Sequence, residues 1–121
     1  MKERRILVID DELDFLESIR RGLIIAGFRN ITVLNKPIQI KELLRENCFD
    51  IALIDVSMPQ MNGLEVLQYI KSVCPDTICM MVTAIDDAET ARQCLRLGAR
   101  EYLIKPVSRE KLLQVLTRAD G

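Results

Sequence analysis

Asp10, Asp11, Asp55, Thr83 and Lys105 each follow or close a run of apolar residues. Ile6-Leu7-Val8-Ile9 leads into Asp10-Asp11, and Ile51-Ala52-Leu53-Ile54 leads into Asp55. Ile78-Cys79-Met80-Met81-Val82 leads into Thr83, and Tyr102-Leu103-Ile104 leads into Lys105-Pro106. If these runs are parallel strands of one sheet, the polar side chains meet at its carboxyl edge, where open α/β sheets place their sites. Three carboxylates in one small space repel each other and favour a hard divalent cation. A hydroxyl and an ammonium beside them suit an anion seated on that cation. Each feature alone has a plainer explanation. Asp10-Asp11 can cap a helix, Asp55 can form a turn, Thr83 can end a strand, and Lys105 can extend along the surface. Their joint placement favours a site.

The elements needed to position them are legible as five strands alternating with five helices. Strands are predicted near 5–9, 30–34, 50–54, 77–82 and 101–104. Helix one is predicted over 12–26, where Leu13, Leu16, Ile19 and Leu23 recur at three- and four-residue spacing, with Gly27 as a left-handed stop. Pro37 suits the first turn of helix two, which runs to about Glu46. Asn62 with Glu65, and Asp86 with Glu89, read as capping boxes opening helices three and four. Gly98 closes helix four, and Ser108 caps helix five. Short strands separated by helices imply crossover connections and a parallel sheet. Uninterrupted apolar strands imply cover on both faces. Strand two, Asn30-Ile31-Thr32-Val33-Leu34, alternates more and reads as an edge.

The chain has 121 residues, enough for one domain with a real core and no second one, so residues 1–121 read as a single domain. Met1 fits either a lone domain or the amino-terminal part of a longer protein. The net charge of −1 announces neither nucleic acid nor membrane. The amino terminus is too polar for a signal peptide, and no run approaches the ~20 apolar residues of a membrane span. A soluble, cytoplasmic protein is expected. Cys48, Cys74, Cys79 and Cys94 form no C-x-x-C pair, and without histidine there is no partner for a zinc site, so all four are expected as reduced thiols. The absence of histidine also excludes His-based catalysis and phosphohistidine chemistry on this chain.

The four motifs together resemble the receiver (phosphoacceptor) domain of two-component response regulators. They are Ile-Leu-Val-Ile-Asp10-Asp11-Glu, Asp55-Val-Ser-Met58-Pro59-Gln-Met-Asn-Gly63, Val-Thr83-Ala84, and Gly98-Ala99-Arg-Glu-Tyr102-Leu-Ile-Lys105-Pro106. Their order and spacing match over nearly the whole chain. The resemblance implies a doubly wound, CheY-like (flavodoxin-like) α/β fold, with five parallel strands in the order 2-1-3-4-5 flanked by five helices. It implies a signalling switch rather than a metabolic enzyme. Asp55 would accept a phosphoryl group from the phosphohistidine of a histidine kinase or phosphotransfer protein. Asp11, Asp55 and the Ser57 backbone carbonyl would ligate Mg²⁺ (or Mn²⁺), and Asp10 would act through water. Thr83, the Ala84 amide and Lys105 would bind phosphoryl oxygens. Pro59 and Gly63 would shape the loop, and Pro106 would follow a cis peptide. Thr83 and Tyr102 would couple phosphorylation to the face formed by helix four, strand five and helix five. That face would control an output domain, a downstream protein or a phosphorylation-dependent homodimer. The kinase would dock near helix one, with Asp14, Glu17 and Arg21 as candidate contacts.

Departures from the family pattern are small. Asn62 stands where many relatives carry Asp, and Asn caps a helix equally well. Ser57 and Ile85 border the site, and neither can position an attacking water, so slow self-dephosphorylation is expected. Other classes fit less well. A haloacid-dehalogenase-like phosphatase needs an acid where Ser57 stands. A flavodoxin-like cofactor binder needs a phosphate loop where Asp10-Asp11-Glu12 would repel phosphate. A P-loop nucleotidase needs a G-x-x-x-x-G-K sequence, which is absent. A phosphorylation-independent pseudo-receiver usually lacks an acid or the lysine, and this chain keeps them all.

Overall fold

Strands that are apolar on both sides need cover on both faces, and the computed structural model supplies it. It describes residues 3–120; Met1, Lys2 and Gly121, which entered the sequence reading, lie outside them. In chain order the elements are β1 (Arg5–Ile9), α1 (Leu13–Ile25), β2 (Asn30–Leu34), and a 3₁₀ turn (Pro37–Gln39) running into α2 (Ile40–Leu43). β3 (Ile51–Ile54), α3 (Gly63–Val73), β4 (Ile78–Thr83), α4 (Ala88–Arg96), β5 (Glu101–Ile104) and α5 (Arg109–Asp120) follow. The five strands form one sheet in the order β2-β1-β3-β4-β5, and every neighbouring pair is parallel. This is the doubly wound arrangement the sequence predicts, with β2 at an edge.

Alternation within each strand divides the core into two layers. Leu7, Ile9, Ala52, Ile54, Cys79 and Met81 pack with Ile40, Val66, Leu67, Ile70 and Cys94, beneath α2, α3 and α4. Ile6, Val8, Leu53, Met80 and Val82 pack with Leu16, Leu23, Leu112, Val115 and Leu116, beneath α1 and α5. Burying a side chain of this size contributes roughly 1.5–3 kcal/mol, so the sheet is a rigid platform for whatever its carboxyl edge carries. Cys79 is fully buried, and burial pushes its thiol up to about 11, keeping it neutral in the core.

Three sequence expectations are corrected. Helix two was expected to run to Glu46, but the helix proper is one turn, because Ile40 and Leu44 give it only one turn of buried apolar surface. The Arg45 amide bonds Glu42 O, three residues back, which tightens and ends the ladder. The cap of α4 is Asp87 rather than Asp86. Its carboxylate accepts from both the Thr90 amide and the Thr90 hydroxyl, a pair of bonds that Asp86 with Glu89 could not match. Cys48 and Cys74 are not separate thiols; they form a disulfide, while Cys79 and Cys94 remain free and buried. The loop before β3 and the residue that follows α3 return to the same end of the sheet, bringing the two Cα atoms to 5.8 Å. The other caps stand as expected: Asn62 and Glu65 exchange both capping-box hydrogen bonds, and Gly27 and Gly98 hold φ of 101° and 110° after α1 and α4.

Candidate functional site

The sheet register sets the site. The Asp55 amide donates to Ile9 O, and the Lys105 amide donates to Thr83 O, so neighbouring strands end level with one another. Asp10, Asp55 and Thr83 are buried there, Lys105 is half-buried, and Asp11 faces solvent. The carboxylates of Asp10, Asp11 and Asp55 each offer an oxygen within 4.8 Å of the others. Two buried acids plus one exposed acid form a cup that is lined inside and open outside.

Local sequence explains each placement. The Asp10 carboxylate accepts from the Glu12 amide at 2.9 Å, which turns the chain from β1 into α1. The Ser57 amide approaches Asp55 Oδ1 at 3.4 Å, while Ser57 itself is exposed. Gly63 lets α3 start directly against the chain that follows Asp55, and its amide donates to Val56 O. A Cβ built on Gly63 would lie 2.1 Å from Asp55 O and 2.6 Å from Val56 Cα, so only glycine fits. Pro59 lies in the exposed loop between them, with its carbonyl accepting from the Met61 amide, and Lys105-Pro106 is a cis peptide.

The resemblance puts Lys105 beside Asp55 or on phosphoryl oxygens bound there. An ion pair is present at 3.6 Å, but its hydrogen bonds go to Asp10 at 2.6 Å and Glu12 at 3.3 Å. Its ammonium also lies 4.0 Å from the centre of the Phe15 ring. Glu12 and Phe15 were not singled out from sequence. Glu12 sits in the first motif and could have been noticed there, whereas nothing local marks Phe15.

The electrostatics follow from burial. Desolvation pushes the Asp10 carboxyl above its ordinary range, against the Lys105 and Glu12 hydrogen bonds, and the Asp55 charge pushes the same way. Burial alone would lower Lys105, but the Asp10 hydrogen bond and the charges of Asp10 and Asp55 leave it raised and firmly cationic. A desolvated carboxylate facing a second one is the environment that a divalent cation relieves, and an all-oxygen donor set suits a hard ion.

Thr83 Oγ1 accepts from the Ile85 amide at 3.3 Å, and Ala84 between them is exposed. Tyr102 is half-buried and donates its hydroxyl to Ile85 O at 2.8 Å. Burial first, and then Cys94 and the acids Asp87, Asp86 and Asp55, push its phenol upward, so it is a neutral donor. Thr83 and Tyr102 therefore hold the same residue of the loop before α4, Thr83 by its amide and Tyr102 by its carbonyl. Asp14, Glu17 and Arg21 line a shallow depression with Arg109, between α1 and α5.

Comparison with known proteins agrees with this geometry. The family model for the response regulator receiver domain matches residues 6–117. The transcriptional regulatory protein ZraR of Escherichia coli (strain K12) is 37% identical over 117 residues, covering 94% of this chain and 26% of that protein. A cyclic di-GMP phosphodiesterase of Thermotoga maritima is 35% identical over 114 residues, covering 94% of this chain and 30% of that protein. The chain thus spans less than a third of the length of either relative. The solved structure of a CheY-like receiver domain protein from Methanospirillum hungatei JF-1 superposes with a TM-score of 0.90 at 28% identity, covering 98% of this chain and 94% of that one. The chain belongs to the response regulator receiver family, whose function is phosphorylation-based two-component signalling.

Proposed function

We propose that Asp55 is the phosphoacceptor of this receiver, and that residues 1–121 act as one switch domain. One observation carries the assignment: Asp55 is buried beside Asp10 and Asp11, with the Lys105 ammonium 3.6 Å away, at the sheet edge where Thr83 is also buried. Asp11, Asp55 and the Ser57 carbonyl would hold Mg²⁺ (or Mn²⁺) directly, with Asp10 contributing through water. When bound, the ion offsets the repulsion between Asp55 and an incoming phosphoryl dianion and neutralises charge developing on its oxygens.

The remaining chemistry belongs to the chain. An Asp55 carboxylate oxygen forms a bond to phosphorus as the bond from phosphorus to the donor imidazole nitrogen breaks. The nitrogen keeps the electron pair and takes a proton from solvent, and the product is an acyl phosphate. Lys105 and the hydroxyl of Thr83 donate to phosphoryl oxygens, as does the Ala84 amide, whose small side chain leaves room. Drawing Thr83 toward the phosphoryl group takes its oxygen from the Ile85 amide. Tyr102, tied to the same residue, moves with the loop, and the change reaches α4, β5 and α5. A bias of a few kcal/mol between two such states is sufficient.

The partners in this proposal are a histidine kinase or phosphotransfer protein near α1, and an output domain or downstream protein at the α4-β5-α5 face. The relatives carry regulatory and phosphodiesterase names, so the kind of output is open to either. A phosphorylation-dependent homodimer is a further candidate. Arg92 and Arg96 are already paired with Glu89, and Arg118 lies 3.9 Å from Glu101, so a dimer would have to rearrange these exposed pairs. A cytoplasmic location belongs to the same proposal; no described helix is long and apolar enough to cross a membrane.

Native mass spectrometry after incubation with acetyl phosphate and Mg²⁺ tests the assignment. One phosphoryl adduct is expected on the wild type and none on Asp55→Asn or in excess chelator. An unmodified wild type, also refractory to a histidine kinase donor, would favour an interaction module that works without phosphorylation. The decay of the adduct in the same spectra should be slow, because Ser57 and Ile85 cannot activate water; a lifetime at the short end for acyl phosphates would contradict that.

A further inference from the structure

An ammonium has three protons to give, and in this chain they are occupied without Asp55. Lys105 donates to Asp10 and to Glu12, and its remaining side lies over the Phe15 ring. The Asp55 oxygen at 3.6 Å is near enough for attraction and too far for a hydrogen bond. Glu12 stands at the position before α1 where a side chain usually caps the helix; it makes no cap hydrogen bond and points its carboxylate at Lys105 instead. Phe15, in the first turn of α1, is half-buried in the layer beneath α1 and α5, so its face is fixed.

We propose that Glu12 and Phe15 form a resting seat for the Lys105 ammonium, and that this seat is vacated when Lys105 turns to a phosphoryl oxygen on Asp55. The inference rests on Asp55 being the phosphoacceptor, and it adds two positioning residues that act through Lys105. Asp10 is the contact that can persist, because it is the shortest and the most buried. Glu12 is two-thirds exposed, so water replaces Lys105 there at little cost. The ring of Phe15 gains no substitute cation, so its attraction is lost outright. Both contacts therefore favour the unmodified state over the transition state, and removing either should speed phosphoryl uptake.

The test combines resting-state spectroscopy with kinetics on the intact chain. In isotope-labelled protein, the ε-methylene protons of Lys105 should show an upfield ring-current shift. That shift should vanish in Phe15→Leu and on phosphorylation of the wild type by acetyl phosphate with Mg²⁺. The saturating rate of adduct formation should rise roughly two- to five-fold in Phe15→Leu, the low end of what losing one cation–π contact costs. Glu12→Gln should give a smaller increase in the same direction. The acetyl phosphate concentration at half saturation should not change, because neither residue touches the donor. Phe15→Tyr, which keeps the aromatic face, should bring back both the shift and the slower rate. Equal behaviour of Phe15→Leu and Phe15→Tyr would reduce Phe15 to packing and overturn the seat, as would a ring-current shift that survives phosphorylation. An adduct on a wild type with no resting shift would overturn the seat alone. A resting shift with no adduct on any variant would overturn the phosphoacceptor assignment and, with it, the vacating step.

Discussion

Gly63→Ala is expected to destabilise this protein by at least ~3 kcal/mol and to abolish phosphoryl uptake, although it adds a single methyl group. The reason is what that methyl would meet. Its three nearest neighbours, at 2.1, 2.6 and 2.8 Å, are all backbone atoms of Asp55 and Val56, so no side-chain rotation relieves the overlap. Either α3 retreats, losing the packing of Val66, Leu67 and Ile70, or the segment after Asp55 shifts and carries the carboxylate out of the acid cluster. Gly98 is the control. Its φ of +110° disfavours alanine, but the nearest atoms are the flexible methylenes of Lys71 at 3.4 Å and beyond, so Gly98→Ala should cost only about 1–2 kcal/mol. It should leave uptake intact, because Gly98 lies after α4 and away from Asp55. Urea denaturation of both variants, with the phosphoryl adduct counted in each, makes the comparison. A Gly63→Ala protein within 1 kcal/mol of wild type, on the scale of ordinary substitutions, would show that α3 docks with slack.

The same glycine illustrates what the sequence makes legible. Local signals were sufficient wherever one short segment decides the outcome. Apolar runs marked the strands, Asn62 with Glu65 marked the start of α3, and glycines marked the ends of α1 and α4. The candidate site was legible because the parallel topology turns strand ends, which are local, into neighbours, which are not. What escaped depended on side chains that meet only after folding. Lys105 does lie within ion-pair distance of Asp55, but its hydrogen bonds to Asp10 and Glu12 were not foreseen, because the reach of a lysine across three strands cannot be read from spacing. Phe15 looked like any apolar residue on α1, because an aromatic face turned toward a cation has no local signature. At α4, Asp86 with Glu89 was read as the cap, and the hydroxyl of Thr90, which bonds Asp87, moves it one residue on. Helix two failed for a simpler reason: Pro37 marks where it starts, but its buried surface supports only one turn and not the run to about Glu46.

The disulfide between Cys48 and Cys74 escaped for the same non-local reason, and it carries the second large expectation. Opening it should lower the unfolding free energy by roughly 3.5 kcal/mol while leaving the folded structure and phosphoryl uptake nearly unchanged. The magnitude comes from the unfolded chain, where a cross-link over a sequence separation of 26 removes conformational freedom. The folded state has little to lose, because other contacts already pin both ends. The Arg5 guanidinium bonds Cys48 O at 2.7 Å and lies 4.7 Å from the Phe49 ring, and the Arg5 amide bonds Asp50 Oδ2. The Thr77 hydroxyl bonds Phe49 O, and the Cys74 amide bonds Ile70 O, closing α3 without help from sulfur. Uptake should survive because the bond and the site lie at opposite ends of β3; four residues of strand separate them by about 13 Å. Urea denaturation with and without reductant measures the difference, and Cys48→Ser, which changes an exposed residue and spares the buried Cys74, should reproduce it without reductant. Disulfides are rare where glutathione keeps thiols reduced, so in such a compartment this receiver would work with the weaker, opened form. Equal unfolding free energies for the oxidised, reduced and Cys48→Ser proteins would show that the unfolded chain gains nothing from release of the link. A reduced protein that no longer takes phosphoryl would show instead that the two ends of β3 are coupled through the sheet.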